Sequence, residues 1–277
     1  MKGLIVTADD FGAAVEVNDA VEAGHRDGIL TAASLMVGAS AACDAVARAR
    51  ANPRLRVGLH LVLVDGRPTL PPDAVPDLVD KDGRFRDDMV RAAVNMFFIP
   101  RVREQLEHEI EAQFHAFAAT GLPLDHVNTH KHFHLHPTIA STILRVGARH
   151  GLRAIRVPLE PRDVLIRAEP GTKLPSAAVT APWARMSRVR FRRAGLRVPD
   201  NVFGMAWSGA MTADRVRRLI ENLPEGLNEI YLHPATGDYI GSAPGYRYAD
   251  ELAALTAPRV VEAFRNSSIA KGGFADF

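Results

Sequence analysis

With a single cysteine, Cys43, the chain cannot close an internal disulfide, which points to a reducing, cytoplasmic setting. No apolar run approaches the roughly 20 residues that a bilayer span needs. The first apolar stretch, Leu4–Val6, meets Asp9 too soon for a signal-peptide core. Aromatic residues make up only 6% and the net charge is +2, a poor basis for nucleic-acid binding, which wants broad basic surface interleaved with stacking rings. Tandem repeats and low-complexity tracts are also missing. What remains is an ordinary globular composition, 47% hydrophobic and 24% charged over 277 residues, enough for one α/β domain or two small ones.

The charge is unevenly spread. Nine basic residues face two acids between Pro161 and Pro199, so the rest of the chain is net negative. This basic insertion, about 160–200, reads either as a solvated surface or as a face for an anionic partner, with phospholipid headgroups favoured over nucleic acid. Within 182–193, Trp183, Met186 and Val189 recur every third residue along one helical face, with arginines crowding the remainder. Such a helix suits a lid, a homodimer contact, or peripheral attachment to an anionic membrane at its inner face.

Periodicity predicts strands at Leu4–Thr7, Ala33–Val37, Leu55–His60, Leu124–Asn128, Ala154–Val157 and Asn228–Leu232. It predicts helices over Val15–Asp27, Ala41–Ala51, Met89–Ala119 (broken at Pro100), Thr138–Arg149 and Ala249–Phe264. Strands alternating with helices imply parallel βαβ units and an irregular (β/α) barrel spanning residues 1–277 as one domain. Val64–Arg86 and Glu160–Pro199 interrupt the alternation as long loops, and the tail 266–277 reads as a disordered end.

Five of the eleven histidines fall at even positions in one stretch: His126, His130, His132, His134 and His136. In an extended segment, even positions share a face. Clustered neutral imidazoles are poor core material and good metal ligands. His130, directly after a predicted strand, is the expected ligand. His132 and His134 are expected to line the substrate pocket or support it, and His136 to cap the next helix or pack. Asp9 and Asp10 abut at the end of the first predicted strand, where sites of parallel α/β folds gather. One Asp can cap a helix, but two adjacent anions ask for a cation. His60, at another strand end, completes a ligand set with Asp10 and His130. His233, before Pro234 at the end of the last predicted strand, is placed for proton transfer. Arg156 is a candidate for holding substrate or for a salt bridge. Imidazoles favour Zn2+, while a site that keeps several waters also admits Mg2+.

Asp9-Asp10-Phe11-Gly12, Gly58-Leu59-His60, the histidine stretch and His233-Pro234 occur in an order that resembles the YdjC-like carbohydrate deacetylases, over nearly the whole chain. The resemblance implies an irregular barrel of the glycoside hydrolase/deacetylase type. It also implies one divalent metal on Asp10, His60 and His130, with Asp9 as general base and His233 as general acid. The substrate implied is an N-acetylated sugar. The chain departs from the family at Asn128-Thr129-His130-Lys131-His132, where members often carry Asp-Ser-His-His-His; the first His is kept. Val64–Pro68, Asp82–Phe85 and Arg156–Pro161 resemble the branch associated with hopanoid biosynthesis, which implies a glycolipid substrate. Rival readings are a chitooligosaccharide deacetylase, a glycoside hydrolase using Asp9 and a distant Glu, and a non-catalytic sugar- or metal-binding protein.

Overall fold

The first strand, β1 (Lys2–Phe11), is buried on both faces from Gly3 onward, the pattern of a strand covered from both sides. It stands near the middle of a parallel sheet in a computed structural model that describes residues 2–172 and 177–277. The other strands are β2 (Ala32–Leu35), β3 (Arg56–Leu61), β4 (Val127–Thr129), β5 (Asn201–Phe203), β6 (Gly226–Leu232) and the short β7 (Ala270–Lys271). Their order is β4-β3-β2-β1-β6-β5, with β7 added to β1. The helices are α1 (Val15–Arg26), α2 (Ala42–Ala51), α3 (Met89–Phe98), α4 (Pro100–Ala119), α5 (Pro137–Arg149), α6 (Arg162–Ala168), α7 (Ala177–Arg193), α8 (Ala213–Asn222), α9 (Tyr248–Thr256) and α10 (Pro258–Asn266).

The sheet curls into a half-barrel with helices around it, the expected α/β barrel-like class. Its closure is irregular. Residues 154–157, expected as a strand, form only isolated bridges: Ile155 pairs with Val127 of β4 and Ala154 with Arg197. Two residues past that segment, the Leu159 carbonyl accepts the Val202 N–H of β5. The stretch 154–159 therefore spans from one edge strand to the other without forming a strand itself.

Proline sets several boundaries. Pro100 starts α4 with only Ile99 between it and the end of α3, and Pro137 starts α5. Pro258 divides the helix expected over Ala249–Phe264 into α9 and α10. The basic loop holds α6 and α7, and β5 and α8 follow it as further elements the periodicity did not reveal. Lys173 lies outside the described residues. The tail is not a loose end: β7 pairs with β1, and Phe274, fully buried, stacks on His126 at 4.1 Å. Asp125 accepts the N–H groups of Phe274 and Ala275. Composition cannot show this, because the partners of the tail lie about 150 residues earlier at Asp125 and near the start of the chain on β1.

Candidate functional site

The C-terminal ends of β1, β3, β4 and β6 open on a cavity of about 960 Å³, near the upper end of small-molecule pockets. Asp9 and Asp10 both line it, which a regular strand would forbid, since neighbouring side chains point to opposite faces. The register of β1 against β2 shifts between Ala8 and Phe11, and Asp10 takes a left-handed conformation with φ 64°. This bulge turns both carboxylates toward one space.

His60 pairs with Asn128 across β3 and β4, so His130 follows immediately beyond the paired ends. His60 Nε2 and His130 Nδ1 each lie 3.3 Å from Asp10 Oδ1 and 3.4 Å from one another. His60 Nδ1 lies 2.7 Å from Asn128 Oδ1, which can only accept there, because the amide nitrogen of Asn128 donates to Asp9 Oδ1 and to Ser34 Oγ. The His60 proton therefore sits on Nδ1, and Nε2 presents a lone pair toward Asp10. Asp10 Oδ1 is buried without a hydrogen-bond partner. Burial opposes the Asp10 charge, but the neighbouring His130 outweighs it and holds its carboxyl well below the usual range. Two imidazole nitrogens and an ionised, orphaned oxygen facing one point are a donor set that fits a divalent cation.

Asp9 is held from two sides. Arg156 Nη1 donates to its Oδ2 at 2.5 Å and Asn128 Nδ2 to its Oδ1 at 3.0 Å. Burial pushes the Asp9 pKa up, but the Arg156 charge and the histidines of the site overcome this and leave it well below the ordinary value. Asp9 is therefore an ionised acceptor at neutral pH. His233 lies at the cavity wall between the rings of Tyr231 and Tyr246. Its backbone N–H donates to the buried carboxylate of Glu251, and its Nδ1 has no partner.

Arg156 does not line the cavity and sits in salt bridges, the other role the sequence left open to it. It is fully buried, and its Nε and Nη2 both donate to Glu229 Oε1, at 2.9 and 2.7 Å, while Nη1 serves Asp9. The Tyr231 ring packs on the guanidinium at 4.4 Å. Removing this cation would leave two buried carboxylates uncompensated. Arg156→Met is therefore expected to cost about 3–5 kcal/mol of folding stability, read by urea denaturation. A loss of about 1 kcal/mol or less, typical of a surface pair, would contradict this picture.

The histidine stretch does not share one face. Only Val127–Thr129 is strand; residues 130–135 form a 3-10 turn in which Lys131 and His132 are left-handed, and this breaks the alternation. His126 is buried between Ser34, Asp125 and Phe274. His132 lines the cavity and lies 3.0 Å from the Tyr231 hydroxyl. His136 reaches the mouth beside Phe97, and as the residue before α5 it makes no side-chain cap. His134 is not exposed to substrate: it is fully buried, with Nδ1 2.7 Å from Thr129 Oγ1.

Burial, helped by the Arg156 charge, pushes His134 down to about 3 from its ordinary 6.5. Between those values the unfolded chain binds a proton that the folded chain refuses. Stability supplied at neutral pH is thus lost as pH falls through 6.5 toward 3. His134→Gln is expected to lose less stability than the unmodified protein between about pH 7.5 and about pH 5 in denaturant titrations. Equal losses would show that His134 does not carry this dependence.

Several supporting residues were not singled out from the sequence: Asn128, Ser34, Glu229, Tyr231 and Glu251. In the sequence Asn128 stands out only as part of a departure from the family pattern, two residues before the expected ligand, because its bonds to Asp9 and His60 reach other strands. Glu160, also at the cavity, is pushed up to about 7 by burial even though its oxygens accept the N–H groups of Gly204, Met205 and Ala206.

A family model described as YdjC-like protein matches residues 3–266. The chain is similar to a carbohydrate deacetylase of Brevibacillus brevis, at 30% identity over 96% of each chain. It is also similar to a carbohydrate deacetylase of Geobacillus stearothermophilus, at 30% identity over 93% of this chain and 90% of the relative. Its fold is similar to the crystal structure of a protein from Enterococcus faecalis V583, provisionally described as a cellobiose-phosphate cleavage protein. That likeness has a TM-score of 0.75 at 24% identity, covers 99% and 98% of the two chains, and speaks for the fold alone.

Proposed function

This chain belongs to the YdjC-like protein family, and from that premise we propose that it is a carbohydrate deacetylase that hydrolyses the acetamide of an N-acetylated aminosugar with the help of a divalent metal. The observation that carries the reading is the convergence of Asp10, His60 and His130 in a cavity that Asp9 and His233 also line. Amide hydrolysis needs a polarised carbonyl, a deprotonated water, and a proton for the departing amine. Asp10, His60 and His130 would hold the cation. When bound, it supplies Lewis-acid polarisation of the carbonyl and lowers the pKa of water. Imidazoles favour Zn2+ and the carboxylate also admits Mg2+.

Asp9, ionised and fixed by Arg156 and Asn128, accepts the proton of the water whose oxygen adds to the acetyl carbon. His233 donates a proton to the sugar nitrogen as the C–N bond breaks, so that a neutral amine and acetic acid leave, the acid ionising to acetate in water. Glu251 anchors the His233 backbone, and His132 with Tyr231 forms the wall of the pocket.

The finer part of the proposal is that the sugar is borne on a lipid of the hopanoid type, the alternative being a chitooligosaccharide. It is supported by the segments at 64–68, 82–85 and 156–161, which resemble the hopanoid-associated branch, and by Met89, Leu135, Leu165 and Ile240 among the apolar residues lining the cavity. On that reading, residues 182–193 contact the membrane. The glycoside hydrolase reading would enlist a cavity glutamate beside Asp9. Glu160 is a poor choice, since both its oxygens accept backbone N–H groups.

The test is to incubate metal-loaded protein separately with an N-acetylglucosaminyl lipid and with diacetylchitobiose, and to measure acetate by mass spectrometry. Acetate from the lipid supports the full proposal, and acetate from chitobiose alone supports the alternative substrate. Shortened sugars without acetate, or stoichiometric binding without turnover, would overturn it.

A further inference from the structure

Among the described residues, most of the large apolar side chains left in water cluster on two helices near the cavity. On α3 these are Val90, Val94, Phe97 and Phe98, and Ile99 follows; only Ala92 and Met96 of that helix are buried. On α7, Ala184, Ser187 and Phe191 face inward, while Trp183, Met186 and Val189 are about half exposed. Both helices flank the start of α5. Phe97 stands edge-on to His136, 6.0 Å between ring centroids, and Arg190 of α7 donates to the Pro137 carbonyl at 3.3 Å. His136 lines the cavity, as does Met89, the first residue of α3. Ile240, fully exposed, and Leu165 of α6 are cavity residues too. The apolar face of α3 therefore adjoins the cavity wall through Met89 and His136, and α7 meets the same end of α5 through Arg190.

Charge indicates what would cover it. Residues 89–103 and 182–193 contain eight arginines and no aspartate or glutamate; Arg101 and Arg192 are ion-paired with Asp77 and Asp200, and the other six remain as net positive charge on the face. A second copy docked with two-fold symmetry would set the same arginine-rich patch against itself, which costs repulsion. An anionic bilayer offers the opposite charge together with an apolar layer for Phe, Val and Met, and a headgroup zone suited to Trp. We infer that α3 and α7 form a two-helix docking face for an anionic membrane surface, which turns the cavity mouth toward the bilayer. The face itself rests only on this surface; that it delivers a lipid-borne sugar to the site rests on the deacetylase reading.

The protein carries its own reporter. Of its two tryptophans, Trp207 is 5% exposed and packs under Arg215, while Trp183 is 49% exposed on α7. The full chain is mixed with vesicles of phosphatidylcholine alone or of phosphatidylcholine with phosphatidylglycerol, with no sugar lipid present. Co-sedimentation and a blue shift of the tryptophan emission are expected with the anionic vesicles only, and both should fade at high salt. Phe98→Ser combined with Met186→Ser is expected to weaken vesicle binding by about tenfold or more, with acetate release from diacetylchitobiose unchanged. No binding to anionic vesicles, or undiminished binding by the double variant, overturns the inference. So does a blue shift that appears with rising protein concentration alone, since a second copy would then cover the face. Vesicle binding is read without substrate, so its failure and a failure of deacetylation remain separate results.

Discussion

Asp10→Asn is expected to abolish tight binding of the divalent cation, and acetate release with it, while the fold stays intact. The reason lies in the bulge at the end of β1. Asn tolerates the left-handed conformation that Asp10 adopts and keeps the size of the side chain, so the backbone has no cause to move. The variant loses the negative charge and leaves the oxygen a neutral acceptor between His60 Nε2 and His130 Nδ1. Substituting groups that merely support metal ligands typically weakens binding about 10- to 100-fold, so removing the charged ligand should cost more. His60→Ala is the companion variant, because it deletes the lone pair that Asn128 orients. Metal content after dialysis is the readout. Glu111, His115 and His150 form another possible cation site on the outer surface of α4 and α5, so the comparison is best made in a His115→Ala background. One equivalent of metal retained by both Asp10→Asn and His60→Ala would remove these residues from the ligand set, and the hydrolytic proposal with them.

The grouping of Asp10, His60 and His130 could be read from the chain because each sits at or just past the end of a parallel strand, and such ends are marked locally by a largely apolar run that stops at polar residues. Asp9-Asp10 after Leu4–Ala8 and His60 after Val57–Leu59 are both of this kind. The histidine stretch misled on one point. An even-number pattern carries meaning only while the chain is extended, and here extension ends at Thr129. Nothing in Lys131 or His132 announces left-handed backbone, since neither is glycine or asparagine. His134 therefore turns into the core, although spacing alone sets it beside His132.

Arg156 shows the opposite difficulty. Its place in an apolar segment was visible, but its partners Asp9 and Glu229 lie on β1 and β6, 147 and 73 residues away. Only tertiary structure joins them. In the same way, β5 is three residues long and lies just beyond the basic insertion, too short for period-two alternation to emerge. The tail was misread because a strand of two residues and a single buried phenylalanine leave no periodic trace at all.

His233→Ala is expected to keep the cation and lose turnover, and this separates proton donation from metal chemistry. His233 is outside the group formed by Asp10, His60 and His130, so metal content should match that of the unmodified protein. A sugar amine expelled without a proton is a very poor leaving group, and a general acid typically contributes about 100- to 10,000-fold. The loss should fall on kcat more than on KM, since the other cavity walls stay in place. A purely structural role for His233 would lower the hydrolysis of any acyl substrate alike. Proton donation predicts a split: an aryl acetate, whose phenolate leaves without help, should lose far less activity than the acetamide. Glu251 offers a further check, because it fixes the His233 backbone without touching the substrate. Glu251→Gln, with a neutral acceptor in place of the carboxylate, should show the same selectivity in milder form. Full acetamide turnover by His233→Ala, or equal loss on both substrates, would mean that the proton reaches the amine from another group.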